Sequence, residues 1–145
     1  METEIELVII EDDPNDAEMI SDVLQNKVDL QKVKFIKDGE EAIIFLRDII
    51  NNPINKKNPL PKLMVLDLKL PKVSGLEILK EIKSGERAMG IPVVILSSSK
   101  EESDLKTAYD LCVNSYVVKT LNFEEFSFLI GNIIFYWLNL NEVPL

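Results

Sequence analysis

The stretch that decides the fold is Leu63-Met64-Val65-Leu66-Asp67, which runs on into Leu68-Lys69-Leu70-Pro71-Lys72-Val73-Ser74-Gly75. Four apolar residues end at a carboxylate. A second run, Leu7-Val8-Ile9-Ile10, ends in Glu11-Asp12-Asp13. Continuous apolar runs of this length read as strands buried on both faces of a parallel sheet. Carboxylates just past their ends would gather at the carboxyl edge, where open α/β sheets place their sites. Oxygen ligands clustered there suit a hard divalent cation.

Outward from these two runs, strand-like and helix-like segments alternate five times, the pattern of a doubly wound α/β domain. The strands read as Ile5–Ile10, Val33–Ile36, Leu63–Asp67, Val93–Ser97 and Ser115–Val118. The helices read as Pro14–Lys27, Glu40–Asn51, Gly75–Ser84, Lys100–Leu111 and Phe123–Asn139. Asp13-Pro14 supplies an N-cap and a first-turn proline. Ser74 with Glu77, Ser99 with Glu102, and Asn122 with Glu125 have capping-box spacing. The loop Asn52–Lys62 holds three prolines and reads as surface. No linker or repeat divides the chain, so 145 residues read as one domain.

Composition narrows the function. The net charge is −9, which argues against a nucleic-acid surface, where phosphate contacts need clustered Lys and Arg. One cysteine, Cys112, permits no intrachain disulfide and fits a reducing compartment, read here as cytoplasmic. The acidic start Met1-Glu2-Thr3-Glu4 is no signal peptide. No apolar stretch reaches the ~18 residues that suggest a membrane span. The absence of histidine removes imidazole acid–base chemistry and imidazole metal ligation.

At the carboxyl edge, Glu11, Asp12 and Asp67 cannot all ionise cheaply at close range without a cation. A Mg²⁺ ion would resolve that repulsion. Asp67 would then act as a nucleophile toward a phosphoryl group, forming an acyl phosphate. Asp13, beside Pro14, reads as a helix cap rather than a ligand. Ser97 ends the fourth strand and Lys119 follows the fifth, so a hydroxyl and an ammonium reach the same edge and suit phosphoryl oxygens.

With these residues in order, the chain resembles a response-regulator receiver domain of two-component signalling, of the CheY type. The matching set is Glu11-Asp12, Asp38-Gly39-Glu40-Glu41-Ala42, Asp67-Leu68-Lys69-Leu70-Pro71 with Gly75, Ser97, Tyr116 and Lys119. The resemblance spans about residues 5–138, with a short extension over 139–145 and no output domain. It implies a (βα)5 flavodoxin-like fold with strand order 2-1-3-4-5. It also implies that Asp67 is the phosphoacceptor and that Glu11, Asp12, Asp67 and the backbone carbonyl of Lys69 form the Mg²⁺ site. Ser97 would be the switch hydroxyl, Tyr116 the aromatic that turns inward on phosphorylation, and Lys119 the phosphate-pairing lysine. The phosphoryl donor would be a histidine on a sensor kinase, and the chain would be no enzyme in the metabolic sense.

Three departures stand out. The family usually follows the lysine with a cis proline; here it is Lys119-Thr120, leaving either a trans bond in a reshaped loop or retained strain, since a non-proline cis bond costs about 2.5–4 kcal/mol. Lys69 is long and cationic, and can either attract or occlude an incoming phosphoryl group. Ser97 replaces the more usual threonine. A competing reading, a Mg²⁺-dependent aspartyl-phosphate phosphohydrolase, is disfavoured because Lys69 stands where such enzymes carry a second acid. A third reading is a phosphorylation-independent adaptor.

The last helix is apolar nearly all round. Phe123, Phe126, Ile130, Ile133, Ile134 and Trp137 form a core stripe. Phe128, Phe135, Tyr136 and Leu138 lie off it and would form a homodimer interface, unless the tail Leu140–Leu145 folds over them. The ending Phe135-Tyr136-Trp137-Leu138 also resembles receiver proteins that accompany phytochrome-type histidine kinases. In the fourth helix, Leu105, Ala108, Tyr109 and Cys112 would mainly cover the sheet.

Overall fold

The computed structural model describes residues 4–52 and 59–143. The strands are β1 Leu7–Ile10, β2 Val33–Ile36, β3 Leu63–Leu66, β4 Val93–Ser97 and β5 Ser115–Val118. They form one parallel sheet in the order β2-β1-β3-β4-β5. The helices are α1 Pro14–Leu24, α2 Gly39–Asn51, α3 Gly75–Ser84, α4 Glu102–Asp110 and α5 Phe123–Phe135. This is the doubly wound arrangement that the sequence implies.

The apolar runs are continuous because alternate residues serve two cores. Val8, Ile10, Met64, Leu66, Val93 and Ile95 pack with α2, α3 and α4, through residues such as Leu46, Ile78 and Ala108. Leu7, Ile9, Leu63, Val65, Val94 and Leu96 pack with α1 and α5, through Ile20, Leu24, Phe126 and Ile130. Among the described residues, no helix is long and apolar enough to cross a membrane.

Side-chain caps start most of the helices. Asp13 accepts from the Asn15 and Asp16 amides, Asp38 from Glu41, Ser74 from Glu77 and Asn122 from Glu125. The expected Ser99 cap is absent. The Ser99 hydroxyl donates to Asp104 Oδ2 at 2.6 Å, and α4 begins only at Glu102. At its other end α4 stops at Asp110, and Cys112 turns to φ 67 and is exposed while Val113 is buried; Tyr109, still within the helix, faces solvent. Tyr109 and Cys112 therefore do not cover the sheet. Helix α1 closes three residues early, because the Lys27 and Val28 amides both bond the Leu24 carbonyl, at 2.9 and 3.0 Å. In the loop that reads as surface, residues 53–58 lie outside the described residues. Pro61 is buried and Leu60 packs on the core.

Helix α5 passes into a wider π-helical turn, Tyr136–Leu140, closed by the Asn141 amide on the Tyr136 carbonyl at 2.7 Å. Phe123 is exposed, which removes it from the core stripe. Leu138 follows buried Ile134 by four residues, the spacing of one helical face, and packs on the α1–α5 core. It is therefore half-buried and lies partly on the core stripe rather than wholly off it. Val143 shares a cavity of about 270 Å³ with Ile5 and Leu60. Phe128 and Phe135 stay open to solvent, at 70% and 55% exposure. The tail beyond Val143 lies outside the described residues.

One glycine fixes the site. A Cβ at Gly75 would strike the Asp67 carbonyl oxygen and lie 2.6 Å from Leu68 Cα, both backbone. Gly75→Ala is expected to destabilise the fold by about 1–3 kcal/mol in urea unfolding. Gly85→Ala, whose Cβ meets nothing closer than 3.7 Å, should stay within about 0.5 kcal/mol of wild type.

Candidate functional site

β1 and β3 are neighbours in register, with Ile10 beside Leu66, so the residues that follow them emerge side by side. The Asp67 amide donates to the Ile10 carbonyl at 3.1 Å and the Glu11 amide to the Ile36 carbonyl at 3.0 Å. From there the chain leaves β1 for one face of the sheet and β3 for the other, which opens the crevice of a topological switch point. Glu11 and Asp67 are buried and Asp12 is exposed. One oxygen from each of the three lies within 4.8 Å of the others. Oxygen-only donors with excess negative charge fit a hard divalent cation, as the sequence anticipates.

Lys119 enters from the end of β5. Its amide donates to the Ser97 carbonyl at 2.8 Å. No cis peptide bond occurs among the described residues, so Lys119-Thr120 is trans. The ammonium reaches three carboxylates: Glu11 Oε1 at 2.6 Å, Asp16 Oδ2 at 2.8 Å and Asp67 Oδ2 at 3.1 Å. Asp16 is the one partner that the sequence reading passes over. It stands in the first turn of α1, three residues past the cap Asp13, and that spacing turns it back toward the sheet edge.

Burial is the main reason why Glu11 is pushed up to about 8, and the Asp67 carboxylate adds to it; the Lys119 hydrogen bond works the other way. For Lys119, burial favours the neutral amine, but Asp16 and Glu11 outweigh it and hold the ammonium above its ordinary range. The remaining contacts orient the carboxylates. The Lys69 amide donates to Asp67 Oδ1 at 3.2 Å, while the Lys69 residue is exposed. The Asp13 amide donates to Glu11 Oε2 at 3.2 Å.

Ser97 is fully buried, and its hydroxyl accepts from the Ser99 amide at 3.2 Å. The Tyr116 hydroxyl donates to the Ser99 carbonyl at 2.9 Å. Burial raises the Tyr116 phenol, and its hydrogen bond to Ser99 partly offsets that. The structure thus brings Glu11, Asp12, Asp67, Ser97 and Lys119 to one edge and ties Tyr116 to the loop after Ser97. Phe128, Phe135 and Tyr136 lie apart from this edge, exposed on the last helix and its π turn.

Comparison with known proteins agrees with this geometry. Residues 7–130 match the family model described as the response regulator receiver domain. The chain is 36% identical over 138 residues to the probable methanogenesis regulatory protein FilR2 of Methanothrix harundinacea, covering 95% of this chain and 86% of that protein. Response regulator Rcp1 of Synechocystis is 32% identical over 138 residues, covering 95% and 92%. The crystal structure of Mn²⁺-bound Rcp1 aligns over 96% of this chain and 98% of its own, with a TM-score of 0.82. The phosphorylated cyanobacterial phytochrome response regulator RcpA aligns over 99% and 100% at 34% identity, with a TM-score of 0.86.

A raised Glu11 carboxyl keeps its proton at neutral pH, and a cation in the cluster must displace it. Mg²⁺ affinity should therefore rise with pH by up to about tenfold per unit below 8 and level off above it. Calorimetric titrations of metal-free protein between pH 6 and 9 check this; an affinity that is flat or falls with pH would contradict it.

Proposed function

Because the chain belongs to the response regulator receiver family, we propose that it is a stand-alone phosphoacceptor in which Asp67 takes a phosphoryl group from a histidine of a sensor kinase. The observation that carries this reading is the Asp67 carboxylate, buried at the switch point with the Lys119 ammonium 3.1 Å away. In the transfer, an Asp67 oxygen forms a bond to phosphorus as the bond from phosphorus to the imidazole nitrogen breaks. The Lys119 ammonium and the Ser97 hydroxyl serve the phosphoryl oxygens. Glu11, Asp12, Asp67 and the Lys69 carbonyl would hold Mg²⁺, which would offset phosphoryl charge. Tyr116, tied to the loop after Ser97, would carry the change to the surface around α4 and β5.

A protein that modifies only itself is a switch rather than an enzyme. The chain spans 92% of Rcp1, a response regulator, which supports a signalling role. The likeness to RcpA supports a phytochrome-type kinase as donor. A cytoplasmic location follows from the same partnership.

We further propose a homodimer through Phe128, Phe135 and Tyr136. Three large side chains exposed on one helix and its final turn favour an interface over a solvated face.

Acetyl phosphate with Mg²⁺ should add one phosphoryl group by intact mass, with acetate leaving; Asp67→Ala and a metal-free sample should show none. A wild-type chain that stays unmodified and also fails to bind beryllofluoride would overturn the proposal. For the dimer, sedimentation should show two copies in the wild type and one in Phe128→Glu/Phe135→Glu, with circular dichroism showing the variant folded and its unfolding midpoint independent of protein concentration.

A further inference from the structure

We infer that Asp16 is a positioning residue: it tethers the Lys119 ammonium so that one N–H stays aimed at Asp67 during phosphoryl transfer. The inference rests on the phosphoacceptor reading of Asp67.

A lysine side chain has four rotatable carbons and three donors, and holding it still requires partners at its tip. Lys119 has all three N–H groups engaged, and its side chain is only 12% exposed. Two of the partners belong to the acidic group at the switch point. Asp16 comes from a different element and lies outside that group. Its backbone is itself fixed, because the Asp16 amide donates to the Asp13 cap at 3.2 Å and the Ala17 amide bonds the Asp13 carbonyl at 2.9 Å. The backbone after Lys119 is an ordinary trans bond to Thr120, with no ring to stiffen it. Once Asp67 carries a phosphoryl group, its oxygen is no longer a free carboxylate for Lys119. The tethers left are Glu11 and Asp16. With both in place, the third N–H can turn only toward the new phosphoryl oxygens. With Glu11 alone, the ammonium swings.

The test is a double-mutant cycle of Asp16→Ala and Lys119→Met, with Asp16→Glu as the conservative variant. The readouts are the rate of labelling by acetyl phosphate at saturating Mg²⁺ and the affinity for beryllofluoride. Circular dichroism checks that every variant is folded. Asp16→Ala should lower both readouts about five- to tenfold, the size of coupling between contacting groups. Asp16→Glu should recover most of the loss. In the Lys119→Met background, Asp16→Ala should change nothing. A loss that persists in that background would overturn the inference and make Asp16 a metal or structural acid. So would Asp16→Ala at the wild-type rate. Failure of the wild type to take the phosphoryl group is a different result, because it removes the phosphoacceptor reading first.

Discussion

The arrangement depends on a charge imbalance at the carboxyl edge of the sheet. Glu11, Asp12, Asp16 and Asp67 converge where the described residues supply one cation, Lys119. Like charges this close and this buried repel, and one of them keeps its proton or a counter-ion enters. The excess is held in place by the fold. β1 and β3 end side by side, and the Asp67 amide is bonded to the strand before Glu11. On the proposed assignment, this unrelieved repulsion would be the source of the edge's affinity for a cation, and then for a phosphoryl group whose charge that cation would offset.

Two cores make such a concentration of charge tolerable. Each central strand contributes alternate residues to both faces, so the sheet beneath the carboxylates is anchored by α1 and α5 on one side and by α2, α3 and α4 on the other. Close-packed interiors transmit strain rather than absorb it. A shift at Asp67 must therefore be taken up where packing is thinnest, in the connections after the strands. The loop after Ser97 answers that description. Its hydrogen bonds run from the Ser99 amide to the Ser97 hydroxyl, from the Ser99 hydroxyl to Asp104, and from Tyr116 back to the Ser99 carbonyl, which links a buried hydroxyl to the start of an exposed helix.

Much of this was legible in the residues. Apolar runs that end in acids placed the strands and the switch point, and cap residues placed the starts of α1, α3 and α5. The misreadings share a cause, which is that local pattern loses to a specific tertiary partner. Ser99 has the spacing of a cap, but Asp104 captures its hydroxyl. Tyr109 and Cys112 have the spacing of a sheet-facing stripe, but Tyr109 lies one position past buried Ala108 on the open side of α4, and Cys112 is left-handed beyond the helix end. Leu138 looks like surplus beside three exposed aromatics, yet it continues the face of Ile134. Asp16 was hidden for a simpler reason. An acid in the first turn of a helix is expected on dipole grounds alone, so nothing local marks it as a partner for a lysine 103 positions away.

The pattern of hydrogen bonds also constrains how a switch at this edge can work. A contact that is equally good in two states shifts no population between them. Lys119 already has an oxygen acceptor for each of its N–H groups. On the proposed assignment, phosphorylation exchanges its Asp67 contact for a phosphoryl one and gains little. Ser97 is placed differently. Its hydroxyl is engaged with the loop that follows it, through the Ser99 amide. A new acceptor at Asp67 would give the Ser97 proton a charged partner, a bond worth about 1.5–3 kcal/mol. Most of the differential free energy therefore falls on the serine, which leaves Lys119 to position the phosphoryl group and Ser97 to report it to the loop that Tyr116 holds.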